Sequence, residues 1–438
     1  MGVGAIAEPL IILLLLVGGT WINRQRGPTS RETIDTEPTP KCSSEVDCDG
    51  LLARSDAFQY AEEEERSDPY ASSPSLLLHR EPPWHTRQLY LAGLSKTVFS
   101  PNTAIFRGRA LSRLLRKLPF LVECWYWALI YWTYQLGRAF TAVTLKQGTI
   151  HAARRHALEV LHLEQHLHIF WELDIQAFFL QFPTLMTWIN RIYSFIHIPG
   201  AIVFLIGLYY YTITRDGVDE HKANKKIREK VNLPYLYEAR RRTMAMCNLL
   251  AFVIFTIWPC MPPRLLSDSG AEGPDVQEAQ RYGFIDTVHG DGGEGSVWTQ
   301  NRFCNQYAAM PSLHFAYSLM IGLTIMTIPI SSTATGKSIS MARLLCILVG
   351  ALYPLIILVA ILATANHFLL DAVAGAVVCG LAWWGNGILL NLLPVEDWFL
   401  WCLRTHKPER QMIRTELVDG ASEDDLFAGE TFHWEMTS

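Results

Sequence analysis

Two short polar clusters, Pro311-Ser312-Leu313-His314 and Asn366-His367-Phe368-Leu369-Leu370-Asp371, interrupt the apolar sequence between Asn305 and Asp371, and that stretch decides the fold. The first cluster opens the apolar run from Phe315 to Ile330. The second opens the run from Ala372 to Leu393, and the apolar segment from Leu344 to Ala365 lies between them. Each cluster therefore sits where a membrane helix begins. Two spans separate the clusters, so both return to the same face of the bilayer. Ionisable side chains in such segments are costly and rarely face lipid, which makes them functional-site candidates. Here they are His314, His367 and Asp371.

The composition agrees with a membrane location. A chain of 438 residues that is 50% apolar and rich in Trp, Tyr and Phe departs from a soluble enzyme of equal length. It reads as a polytopic membrane protein whose partner is the bilayer. A net charge of -5 with scattered signs excludes a nucleic-acid partner, whose binding needs clustered Lys and Arg. Nine cysteines without a repeating spacing exclude a disulfide scaffold or a zinc ribbon.

Residues 1–22 hold an apolar run, Pro9 to Ile22, followed by Arg24 and Arg26 with no basic residue before it. That order of charge predicts an uncleaved membrane anchor rather than a signal peptide. Residues 23–117 are expected to form a cytoplasmic linker. Its first part, with Pro, Ser and the acidic block Glu62 to Glu65, cannot bury enough apolar surface to order itself. Its last part accumulates Arg107, Arg109, Arg113, Arg116 and Lys117, which suits anionic lipid. Residues 118–393 contain six predicted spans: Leu118–Tyr134, Ile192–Ile213, Met246–Cys260, Ser312–Ile330, Leu344–Ala365 and Phe368–Leu390. Residues 394–438 are expected to be a cytoplasmic tail. The fold class is thus all-α: a six-helix transmembrane core plus an extra N-terminal transmembrane helix.

Loop charge sets the expected orientation. Thr214 to Thr243 carries nine Lys or Arg, whereas the longer segment from Met261 to Pro311 carries three. The positive-inside rule then puts the first in the cytoplasm and Arg264, His314, His367 and Asp371 on the exoplasmic side, in a membrane of the secretory pathway. Cys260 and Cys304 would share that oxidising compartment, where a bridge and two free thiols both remain open.

His367 and Asp371 are four apart at a helix start, so they share one face and the carboxylate can accept a proton from one imidazole nitrogen. The other nitrogen is then left as a nucleophile, with the carboxylate as its orienter. His314 enters from another helix start and can protonate a departing oxygen. The amides of Ser312, Leu313 and His314 open a helix after Pro311, a ready anion site to which the Ser312 hydroxyl adds a donor. Upstream, Pro262 and Pro263 stop a helix and leave Arg264 to grip phosphate oxygens in bidentate fashion. Together these residues describe a phosphoryl-transfer site with catalytic His367, Asp371 and His314, substrate-binding Arg264 and Ser312, and no metal or other cofactor. His162, His166 and His168, with Glu164 between them, read as the aqueous face of an amphipathic helix rather than a metal site.

The order Pro-Pro-Arg, then Pro-Ser-Leu-His, then His-x-x-x-Asp resembles the type 2 phosphatidic acid phosphatase superfamily, and more closely its inositol phosphorylceramide synthase-like branch. The resemblance covers Leu118 to Leu393 in coarse architecture. It implies that His367 is the nucleophile, Asp371 its orienter and His314 the general acid or base, with Arg264 and Ser312 at the first and second motifs. The phosphatases carry a Ser-Arg pair where Ala360 and Ile361 stand, and glycine where Leu313 stands. The missing arginine fits the synthase-like branch, and Leu313 is expected to narrow the space beside the phosphate. The resemblance implies a lipid phosphotransferase moving a phospho-head group from a phospholipid to a lipid alcohol. A lipid phosphate phosphatase and a non-catalytic lipid-binding membrane protein are the alternatives. Donor, acceptor, organelle and oligomeric state are not legible.

Overall fold

Each of the six apolar runs forms a helix in the computed structural model, which describes residues 4–25, 82–91, 93–144, 147–215, 233–267, 273, 275–288, 306–329 and 340–408. After α1 (Gly4–Ile22) come the strands β1 (Trp84–Leu91) and β2 (Leu94–Pro101), then α2 (Ala110–Lys117) and α3 (Phe120–Thr144). The helices α4 (Gln147–His166), α5 (Glu172–Leu180) and α6 (Pro183–Arg191) follow. α6 runs through a π-turn, Ile192–Ile196, into α7 (His197–Tyr209). The second half holds α8 (Leu233–Ile257), the short α9 (Val276–Gln280), α10 (Leu313–Thr327), α11 (Met341–Ala363), α12 (Leu369–Gly385) and α13 (Leu393–Cys402).

The six-span expectation is met in part. Among the described residues three helical stretches are long and apolar enough to cross a membrane: Pro183–Thr214, Met341–Ala363 and Leu369–Cys402. α10 has 15 residues, a rise of about 22 Å against a hydrocarbon core of about 30 Å. α8 is long enough at 25 residues, but its first half carries Glu238, Arg240, Arg241 and Arg242. α1 contributes a shorter apolar helix, Glu8–Ile22.

Small residues bring the central helices into backbone contact, as small-residue stripes do in membrane bundles. A β-carbon on Gly322 of α10 would lie 2.2 Å from the carbonyl oxygen of Gly350 on α11, and one on Gly350 would lie 2.5 Å from that of Gly322. Glycine is required at both positions by space rather than by backbone angle. The α4 and α5 helices, with the chain after α8, cover the end of this bundle where α10 and α12 begin.

The opposite end corrects one expectation, an all-helical chain, and shows regular structure in the basic last part of the expected linker. β1 and β2 pair antiparallel from Trp84↔Pro101 to Leu91↔Leu94, turning at Gly93, whose φ of 81° suits glycine. The hairpin docks on α13, inside the stretch expected to be a tail. Arg87 donates to both carboxylate oxygens of Asp397 at 3.1 and 3.3 Å, and Ser100 Oγ donates to Asp397 at 2.5 Å. Trp84 packs on Trp398 and Phe106 on Trp401. Polarity concealed this unit in the sequence, because its stability comes from docking rather than from a large core of its own. Residues 26–81 and 409–438 of the expected linker and tail lie outside the described residues.

The same end holds the buried charges of α8. Arg241 donates to Glu123 of α3 at 2.6 Å, and the Tyr237 hydroxyl donates to the same carboxylate at 3.1 Å. Arg242 donates from Nε to Asn386 at 3.1 Å, while Arg240 lies 3.2 Å above the Trp383 ring. Three of the nine basic residues assigned to a loop by sequence are therefore built into the helix bundle.

Candidate functional site

The site grows from how α12 begins. α11 stops at Ala363, and Ala365 takes a left-handed conformation with φ of 50°, unusual for a residue with a side chain. Its neighbours hold it there. The Arg264 amide donates to the Ala365 carbonyl at 2.8 Å, and Asn366 Nδ2 donates to Thr364 Oγ1 at 2.9 Å. His367 follows, and Phe368 then caps α12 with its N–H on the Asp371 carboxylate at 2.9 Å. Ser312 caps α10 in parallel fashion, its hydroxyl oxygen accepting from the Phe315 amide at 3.4 Å. The two helix starts are joined directly, because the Ser312 amide donates to the Asp371 carbonyl at 2.9 Å. Gly375 permits this approach: a β-carbon there would lie 2.4 Å from the Ser312 carbonyl oxygen.

All five residues singled out from the sequence converge. The His367 and His314 rings lie 5.7 Å apart between centroids. His367 Nδ1 is 2.8 Å from the Ala309 carbonyl and 3.4 Å from Asp371 Oδ2. A carbonyl oxygen only accepts, so the proton sits on Nδ1 and the Nε2 lone pair is left available. Asp371 is thus the more distant of two acceptors, a refinement of the orienter role expected from spacing. Arg264 donates from Nε to Asn366 Oδ1 at 2.9 Å and from Nη1 to Asp286 Oδ2 at 2.8 Å. These bonds fix the guanidinium plane one residue from His367 and set a carboxylate against its charge. Two expectations need correction. The Ser312 amide is bonded within the protein and does not join an anion site. The Leu313 side chain, expected to narrow the space at the site, packs with Met246, Cys247, Val378 and Ala382 at the α8–α12 interface.

Residues 231–385 match the family model of the PAP2 superfamily. No curated protein and no solved structure matches the chain. PAP2 superfamily members are phosphatases and phosphotransferases acting on phosphate esters. The matched stretch runs from the region of α8 through α12 and contains Arg264, Asp286, Ser312, His314, His367 and Asp371.

Several polar residues around the candidate site were not singled out by sequence reasoning. Asp286 and Asn366 hold Arg264, as described. Tyr193 and His197 pack against the His314 ring at 4.6 and 5.2 Å between centroids, and His197 Nδ1 lies 3.0 Å from the Tyr353 hydroxyl. The π-turn 192–196, which lies between Arg191 and His197, is a local signal of the kind that accompanies functional sites. Outside the matched stretch, Glu172 of α5 accepts the Leu369 amide and Glu164 of α4 accepts the Leu370 amide, each at 2.7 Å. Burial, together with neighbouring Glu172, pushes the Glu164 carboxyl up to about 9. Glu164 had been read as part of an aqueous face; it is wholly buried, while His162 of the same helix is exposed beside Glu278. Among the described residues no group of three or more His, Cys, Asp or Glu could hold a metal ion. Cys260 is buried with a free thiol, and Cys304 lies outside the described residues.

Proposed function

We propose that the chain is a membrane-embedded lipid phosphotransferase of the inositol phosphorylceramide synthase kind, acting on a phosphodiester head group at the exoplasmic or lumenal surface. His367 Nε2 attacks phosphorus while the bond from phosphorus to the diacylglycerol oxygen breaks and His314 protonates that oxygen. The phospho-head group is then held on His367 as a diester-like adduct. A lipid alcohol attacks in the second half, its hydroxyl proton passing to His314 as the phosphorus–nitrogen bond breaks. Arg264 meets the charge on the non-bridging oxygens.

The observation that carries the choice of substrate is the Asp286 carboxylate on Arg264. A guanidinium already opposed by a carboxylate, in a site that also holds Asp371, suits a singly charged diester better than a dianionic monoester. Ala360 and Ile361, at the distance where the phosphatases carry Ser and Arg, are fully buried in an apolar cluster and add no charge. Both features favour transfer over hydrolysis of phosphatidic acid.

Purified protein given phosphatidylinositol with a labelled head group and a ceramide is expected to release diacylglycerol and to move the label onto the ceramide. Rapid release of inorganic phosphate from phosphatidic acid without any acceptor would replace this reading by the phosphatase one. Absence of both reactions across a panel of phospholipids favours the lipid-binding alternative.

A further inference from the structure

The amide of the cap residue Phe368 and the first two amides of α12 are all taken by carboxylates, which come from three different helices. Phe368 N–H goes to Asp371 of α12, Leu369 N–H to Glu172 of α5 and Leu370 N–H to Glu164 of α4. Asp371, Glu164 and Glu172 are each wholly buried. In each Glu one oxygen accepts an amide, whereas the other, Oε2, is buried and no donor reaches it. Two acceptor-only oxygens without donors are costly. A single proton held between the two carboxyl groups satisfies both, and the pair interacts side chain to side chain.

We propose that Glu164 and Glu172 are positioning residues of the His367 site, a proton-sharing pair that clamps the first turn of α12 and so sets where the imidazole points. The clamp acts through the backbone of Leu369 and Leu370, two and three residues after His367. The shared proton also has an electrostatic consequence. A helix start carries roughly half a positive charge, which cannot balance three ionised carboxylates. Holding one of them neutral lowers the repulsion that an incoming phosphate meets. The other titratable groups facing the pair are Asp371 and His367 at the start of α12 and the Cys260 thiol beyond α8, with Arg264 tied to the same turn through Ala365. Burial holds Glu164 protonated up to about 9, so the clamp is intact at neutral pH and charges above it.

The proposal rests on His367 chemistry, and either transfer or hydrolysis reports on it, so failure of the transferase reading leaves the test standing. Glu164→Gln keeps the amide contact and cannot ionise. It is expected to turn over within about threefold of the parent at neutral pH, while the alkaline fall in kcat near pH 9 moves upward. Glu164→Ala and Glu172→Ala are expected to lose about tenfold or more in kcat with KM little changed, because the nucleophile is misaimed while the lipid site is untouched. An activity-independent readout is the thermal midpoint in detergent, which should fall between pH 5 and 9 in the parent and stay flatter in Glu164→Gln. If the Glu164→Gln alkaline limb and melting profile both coincide with the parent's, the proton-sharing pair is wrong. Alanine variants with parental kcat would overturn the clamp, and the Gln variant decides the matter if the alanine variants fail to fold.

Discussion

His367 has two candidate partners on one nitrogen, and their distances predict how the site responds to mutation. In a triad whose histidine depends on a single carboxylate, the amide variant of that carboxylate loses about four orders of magnitude because the tautomer is lost. Here the Ala309 carbonyl at 2.8 Å keeps the proton on Nδ1 when Asp371 is altered. Asp371→Asn is therefore expected to fold normally and lose roughly 10²-fold in kcat, the electrostatic part only. His367→Ala is expected to lose the covalent phosphoenzyme and turnover together, and rapid-quench labelling measures both. Asp286→Asn frees the Arg264 charge, so it is expected to lower the KM for a dianionic monoester relative to a diester about fivefold or more, read from paired kinetics. The five residues of the candidate site were legible because helix-start histidines, a four-residue His–Asp spacing and a Pro-Pro-Arg stop each have local signatures. Asp286, Glu164 and Glu172 had none. They join the site only through tertiary approach, from segments whose polarity reads as ordinary surface.

At the scale of elements, the helix positions were legible and the hairpin was not. Apolar runs of twenty residues announce themselves by composition, whereas β1 and β2 are polar strands ordered by α13. Asp397, with 14% of its side chain exposed, receives two bonds from Arg87 and one from Ser100. Asp397→Ala leaves those donors unpaired and is expected to cost about 1–3 kcal/mol, seen as a lower midpoint for the hairpin–α13 unit in thermal melts. The kinetic parameters of the distant site are expected to change little. Gly375→Ala tests the other end. Its new methyl must displace the Ser312 carbonyl from 2.4 Å, which separates the starts of α10 and α12 and moves His314 from His367. A loss of kcat exceeding the loss of stability is the expected result, since a displacement of about 1 Å between reacting groups can cost roughly 10²-fold in rate.

Across the whole molecule, polarity is divided between two ends of the bundle, and the division makes a claim about sidedness. The candidate site, α4, α5 and α9 lie at the end where α10 and α12 begin; Arg241, Arg242, the hairpin and α13 lie at the other. The orientation expected from sequence used nine basic residues, of which Arg240 to Arg242 prove to be folded into the bundle. Arg215, Lys222, Lys225, Lys226, Arg228 and Lys230 remain between α7 and α8, still twice the three between Met261 and Pro311. The basic α2 helix, with Arg113, Arg116 and Lys117, adds to the same end. Positive charge on both counts predicts that the hairpin end faces the cytoplasm and the site faces out. Two exposed positions report on this in a cysteine-free background of proven activity: Glu278 on α9, near the site, and Leu94 at the tip of the hairpin. In sealed vesicles of native orientation, a thiol reagent that cannot cross membranes is expected to label Glu278→Cys at once and Leu94→Cys only after permeabilisation. The reverse pattern would put the candidate site in the cytoplasm, where the proposed head-group donor and acceptor would have to be drawn from the inner leaflet.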